Sequence, residues 1–295
     1  AYVAAQGSFY CGVDFRVIDV STPSAPVEVG ALALAPPSRG SDVAVSGDHV
    51  FIAADDIDGW DVGLRVIDVS TPTAPVEVGS VNTPGLALGV AVSGAYAYVA
   101  AWEAGLRVFD VSVPSAPNEV GFVDTPGYAM GVAVSGGNAY VVGANEWPAN
   151  TGTLRVIDVS VPSSPVEVGF VDTPGIGDKV AVEGGYAYLT AGRAGLRVID
   201  VSTSAAPVEV GSYEVELPSG LYDSDEVGVA VSDGYVSLAA GEVGLYVLSE
   251  CTRGPTPDAR ECFIPAAAVA AGAQGAFFQT DVEINNPGAE EAEVH

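Results

Sequence analysis

Apolar and polar positions along this chain never settle into a helical period. Short apolar runs rich in Val, Tyr, Ala and Ile alternate instead with breaks built from Gly, Ser and Pro. Residues 89–127 show the unit. Val90–Ser93 is a brief apolar run, Ser93-Gly94 a turn, and Tyr96–Ala101 a second run. Leu106–Val111 is a third. Ser112–Pro117 is a break in which proline cannot continue a hydrogen-bonded ladder. Glu119–Val123 is the fourth run, closed by Asp124-Thr125-Pro126-Gly127. The pattern predicts four antiparallel strands, A to D. Strands A and B are apolar on both faces, as required of a sheet sandwiched between two others.

The unit recurs. Its third strand reads Leu-Arg-Val-Ile-Asp-Val-Ser and starts at Phe15, Leu64, Leu106, Leu154 and Leu196, with a degenerate copy at Leu245–Glu250. Spacings of 42 to 49 residues, filled only by strand-like segments, point to the blades of a β-propeller. The expected fold is therefore all-β, a propeller of six four-stranded antiparallel blades over residues 1–250, or of seven if more chain precedes them. Ala1–Ala5 already reads as the middle of a strand, so the chain reads as truncated at its N-terminus, with the innermost strand of blade 1 missing. Blade 6 lacks a recognisable outermost strand. A linker bracketed by Cys251 and Cys262 follows, and residues 263–295 read as the start of a second β-rich domain.

With Val-Ala-Val-Ser-Gly and Ala-Tyr-Val-Ala-Ala before it, the recurring Leu-Arg-Val-Ile-Asp-Val-Ser resembles the LVIVD-repeat propellers of bacterial secreted and surface proteins. The resemblance covers about Ala1 to Glu250. It implies a fold and an extracellular or cell-surface location (the periplasm being the alternative) more than an activity. The WD-repeat pattern is not matched, because Trp60-Asp61 is a lone pair in a loop.

Composition narrows the function classes. A net charge of −28 excludes a nucleic-acid binder, since phosphates would repel the surface. It also disfavours docking on anionic lipid, and no apolar run is long enough to span a bilayer. The 48% apolar content excludes a disordered chain. The single lysine, Lys179, fits a salt-adapted source. Cys251 and Cys262 flank a Pro/Gly-rich loop that closes readily into a disulfide in an oxidising compartment, or they remain as two thiols; Cys11 is left over.

Catalytic signatures are sparse. With only His49 and His295 present, a histidine metal centre or a Ser-His-Asp triad is close to excluded. The repeat arginines Arg16, Arg65, Arg107, Arg155 and Arg197 each precede an aspartate by three residues: Asp19, Asp68, Asp110, Asp158 and Asp200. That offset puts them on opposite faces of a strand and suggests Arg–Asp pairs between blades, structural rather than catalytic. Length variation falls in the B–C loops and D–A crossovers, which emerge on one face. That face carries the candidate ligand-binding residues Trp60, Trp102 and Trp147 with Asp61, Glu103 and Glu146 beside them. Trp rows of this kind stack on sugars or anchor a protein partner, or simply pin their own loops. Asp55, Asp56, Asp58 and Asp61 form a loose candidate calcium loop that lacks the full pattern's terminal Glu, or else a solvated acidic loop; no other cofactor is indicated. Where other repeats enter the innermost strand with glycine, Asp42 and Lys179 stand in blades 2 and 5 and suggest either a polar channel mouth or random drift at a solvated rim. Two functions follow: a binding scaffold for a protein or carbohydrate, or a carboxylate-based, calcium-assisted hydrolase or lyase acting on polysaccharide.

Overall fold

In the computed structural model, the described residues are 1–6, 13–22, 24–34, 39–55, 63–145, 151–214, 227–240, 245–250 and 263–265. They form β-sheets that follow one another along the chain. The first has three strands, β1 (Tyr2–Gln6), β2 (Val13–Asp19) and β3 (Val27–Ala33). The second comprises β4 (Arg39–Ser46), β5 (His49–Asp55), β6 (Gly63–Asp68) and β7 (Val76–Val81). The third is β8 (Gly89–Ser93), β9 (Tyr96–Ala100), β10 (Leu106–Asp110) and β11 (Asn118–Val123). The fourth is β12 (Tyr128–Ser135), β13 (Asn138–Ala144), β14 (Gly152–Asp158) and β15 (Val166–Thr173). The fifth is β16 (Val180–Glu183), β17 (Tyr186–Thr190), β18 (Leu196–Asp200) and β19 (Val208–Tyr213). The last is β20 (Val227–Ser232), β21 (Tyr235–Ala240), β22 (Leu245–Glu250) and β23 (Phe263–Pro265).

Every sheet is antiparallel, with strands in sequence order, and the innermost strands pack in succession: β4 on β8, β8 on β12, β12 on β16, β16 on β20. This is a β-propeller with four-stranded antiparallel blades. The strands expected within residues 89–127 fall where the apolar runs placed them. In the first sheet the Leu-Arg-Val-Ile-Asp strand is β2, so β1 and β3 hold the B and D places.

The core lies between blades. Leu64 and Val66 of β6 face the third sheet, packing with Val90, Val99 and Phe109. Ile67, next along the same strand, faces the first sheet with Phe15 and Val17. The same division repeats at Leu106/Val108 and Leu154/Val156. A strand buried on both faces has no polar side, which explains the continuous apolar run Tyr96–Ala100 of β9. Each fully buried Val, Leu or Phe side chain removes apolar surface worth about 1.5–3 kcal/mol, so each interface between blades has its own small core.

Two expectations are corrected. The outermost place of the last sheet is filled: Phe263, Ile264 and Pro265 pair with Glu250, Ser249 and Leu248. That strand comes from beyond Cys262 and lacks the Pro-Val-Glu-Val-Gly signature of the other D strands, so the repeat pattern could not reveal it. The repeat charges also pair differently. Arg16, Arg65, Arg107, Arg155 and Arg197 bind Glu28, Glu77, Glu119, Glu167 and Glu209 of their own blade, at 2.6, 3.0, 3.5, 2.9 and 3.2 Å. The D strand pairs its Glu directly opposite the Ile two residues after the Arg, as in Ile67↔Glu77. Arg and Glu therefore share a face as diagonal neighbours. The repeat aspartates turn to local work: each accepts a hydrogen bond from the backbone N–H of the Ser two residues on, at 2.8–2.9 Å. An Asx turn of this kind is within reach as soon as the strand ends and occupies the carboxylate locally.

Candidate functional site

The innermost strands crowd the propeller axis, and glycine marks the tightest places. A Cβ on Gly89 would sit 2.8 Å from the Met130 carbonyl oxygen and 2.9 Å from Gly131 Cα, both backbone of the next inner strand. A Cβ on Gly131 would run into the Asp178 carbonyl oxygen. At the equivalent places in the second and fifth sheets stand Asp42 and Lys179. Asp42 follows a bulge, since the β4–β5 register jumps between Gly40 and Asp42, and bulges re-aim side chains. Its Oδ2 accepts from the Val90 N–H of the next sheet at 2.9 Å. Lys179 is held at both ends. Its backbone N–H donates to Thr190 Oγ1 at 3.0 Å, and its carbonyl accepts from the Thr190 N–H at 3.0 Å. Its Nζ donates to the Ser41 carbonyl at 3.1 Å and the Leu88 carbonyl at 3.4 Å, and lies 3.8 Å from Asp42 Oδ1.

The pair predicted as a channel mouth is therefore joined across the axis. Each side chain keeps about a quarter of its surface exposed. Together they border a cavity of about 270 Å³ whose apolar wall is one valine from each of four inner strands, Val90, Val132, Val180 and Val229. Burial pushes the Asp42 carboxyl above the usual carboxylate range, against the opposing pull of the Lys179 charge and of hydrogen bonds from the Val90 and Val43 amides.

The start of an A strand lies beside the end of its B strand, so this mouth opens on the B–C and D–A face. Trp102 sits on the same face, just after β9. Its φ of +49° is a left-handed conformation rare for a bulky residue. Two 3.0 Å backbone hydrogen bonds to Ala129, at the start of the fourth sheet, hold it there. Its ring stacks on Tyr128 with centroids 4.5 Å apart and planes at 22°. Trp102 thus bridges two blades with one ring face engaged and the side chain half-buried, and the neighbouring Glu103 is exposed.

Trp60, Trp147, Asp56, Asp58, Asp61, Glu146, Cys251, Cys262 and Cys11 lie outside the described residues, and of Asp55 only the backbone in β5 is described. The described residues contain no group of three or more His, Cys, Asp or Glu side chains placed to hold a metal, and no helix long and apolar enough to cross a membrane. Reading the sequence missed Tyr128, Thr190 and the carbonyls of Ser41 and Leu88. A signal for Thr190 existed: it stands where the third repeat has Ala100, in the same repeat that carries Lys179.

A model of the LVIVD repeat matches residues 1–33, 39–83, 84–125, 126–173 and 174–215. The chain belongs to the LVIVD-repeat family. The five LVIVD matches coincide with the first five sheets, and the last sheet lies beyond them, as its degenerate third strand would suggest. No curated protein gives a significant match. Among solved structures, an LVIVD propeller of this shape is similar to a functionally unknown protein from Desulfotomaculum acetoxidans. The identity is 15%, the alignment covers 90% of this chain and 86% of that one, and the TM-score is 0.64. It is similar too to the Cps50 (Swd1) β-propeller domain of Myceliophteria thermophila, at 13% identity over 84% of this chain and 79% of that one, TM-score 0.59. A chain of a nidogen/laminin complex aligns at 8% identity over 84% of this chain and 88% of that one, TM-score 0.55. At such identities the likeness is one of fold.

Proposed function

We propose that this LVIVD-repeat protein is a six-bladed, non-catalytic binding scaffold of the cell exterior, the three-stranded sheet being the sixth blade. It presents its B–C and D–A face, acidic and Trp-bearing, to a protein or carbohydrate partner. The observation that carries this reading is the division of labour between the faces. The repeated arginines, glutamates and aspartates are used up inside the blades and at the C–D turns. The groups that differ from repeat to repeat, Asp42, Lys179, Trp102 and Glu103, stand at the other face. Function concentrates on such variable segments held by a rigid frame. The geometry supports a scaffold better than a carboxylate-pair hydrolase, because the axial carboxylate of Asp42 faces an ammonium and not a second acid.

The test is a glycan-array and surface-protein binding screen of the chain, with and without calcium. A ligand whose affinity falls at least tenfold with Trp102→Ala or Glu103→Ala supports the reading. Ligands that bind both variants like the wild type, or a glycan that is cleaved, overturn it.

A further inference from the structure

The contacts of Lys179 have a specific chemistry. An ammonium carries three N–H donors and no acceptor. Around Lys179 Nζ stand three acceptors from two other blades: the Ser41 carbonyl, the Leu88 carbonyl and the Asp42 carboxylate. The second Asp42 oxygen is engaged by the Val90 amide, so the carboxylate is fixed in its aim. Two backbone carbonyls and one carboxylate, at the border of a cavity otherwise lined by four valines and Gly228, form a cation site.

We infer that the axial mouth is a primary-ammonium site whose resident occupant is the protein's own Lys179. The lysine is tethered to the fifth blade through Thr190 and delivers its charge to the second and third blades. It thereby straps together blades that are not neighbours in the ring. Elsewhere along the axis each described inner strand packs on the next in sequence, so this contact spans the axis where the other links run around it. The ligand class of the vacated site is a primary alkylammonium, which supplies both the charge and the N–H donors. A quaternary ammonium has the charge alone. The inference does not depend on which partner the outer face binds.

Lys179 is the only lysine in the chain, so two experiments read it directly. The first is chemical rescue. Lys179→Ala lowers the thermal midpoint. n-Butylammonium raises the midpoint again in a saturable way, while tetramethylammonium at equal ionic strength does not. Neither salt has this effect on the wild type or on the Asp42→Asn/Lys179→Ala double variant. Equal rescue by both salts, or none by either, overturns the inference. The second uses the unaltered chain and so does not depend on a variant folding. Acylation of the lysine by an N-hydroxysuccinimide ester, followed by peptide mass spectrometry, proceeds at least tenfold more slowly in the native protein than in urea. Acylation at the unfolded rate overturns the strap.

Discussion

Gly89 and Gly228 occupy the same place in their repeats, the entrance to the innermost strand, and alanine there should have opposite consequences. At Gly89 the added methyl would meet three backbone atoms of the next strand, Met130 O, Gly131 Cα and Val132 N, at 2.8, 2.9 and 3.1 Å. Ordinary contact begins about half an ångström further out, and backbone in a packed ladder cannot swing aside as a side chain can. Relief requires the third and fourth blades to part slightly at the axis, and overpacking of this kind costs ~2 kcal/mol. At Gly228 the nearest atom to the new methyl, among the described residues, would be Ala239 Cβ at 3.6 Å, a normal van der Waals distance. There the unfolded chain loses freedom with no strain in the fold, and the gain is ~0.4–1 kcal/mol. For a domain of this size, Gly89→Ala should lower the midpoint by about 4–8 °C and Gly228→Ala should raise it by about 1–4 °C. Differential scanning calorimetry, supported by urea titration, measures both. If Gly89→Ala melts within a degree of the wild type, or Gly228→Ala is as damaging, then backbone crowding at the axis is not what selects glycine.

The Arg–Glu pairs should differ in worth with burial. Glu167→Ala leaves the Arg155 guanidinium, only 8% exposed, without its carboxylate and should cost about 2–3 kcal/mol in urea unfolding. Glu28→Ala, beside an Arg16 that is 44% exposed, should cost less than about 1 kcal/mol. The side-chain and backbone hydrogen bonds from Ser70, Ser112, Ser160 and Ser202 hold Asp68, Asp110, Asp158 and Asp200 below the usual carboxylate range. A depressed folded pKa gives stability that is present above the unfolded value and lost as pH falls through the folded one. Replacing these four by Asn should therefore flatten the stability–pH curve below about pH 4 and leave its slope near neutrality unchanged. If Cys251 and Cys262 form a disulfide, as the proposed exterior location implies, thiol titration of protein made in an oxidising compartment and denatured without reductant should find one free thiol. Three would remove that support for the location.

Several details of the fold could be read directly from the chain. The continuous apolar run Tyr96–Ala100 showed a strand buried on both faces. The Ser/Pro breaks placed the turns, and the spacing of the repeat named the architecture. The pairing of Arg107 with Glu119 was not legible, because a strand pattern fixes faces but not the register of the neighbouring strand. The bulge at Val108/Phe109 that brings them together is a property of the ladder. The last outer strand, Phe263–Pro265, was hidden for a related reason. A short edge strand needs only backbone complementarity to β22, so it carries no side-chain signature. At the site, the substitution of Asp42 and Lys179 for glycine marked two positions as unusual. Their separation of 137 residues in sequence says nothing of distance in space.

The sequence alone determined the all-β repeat, the family and the strand boundaries of the regular blades. All of these follow from local periodicity and from comparing one repeat with another. Only the tertiary structure decided which charges meet. An ionic contact depends on where circular packing brings the start of one inner strand relative to the others, and no repeat encodes that by itself. Hence the five repeat arginines turned out to pair within their own blades. The chain's single lysine, with nothing in its immediate sequence to explain it, reaches across the axis to the second and third blades.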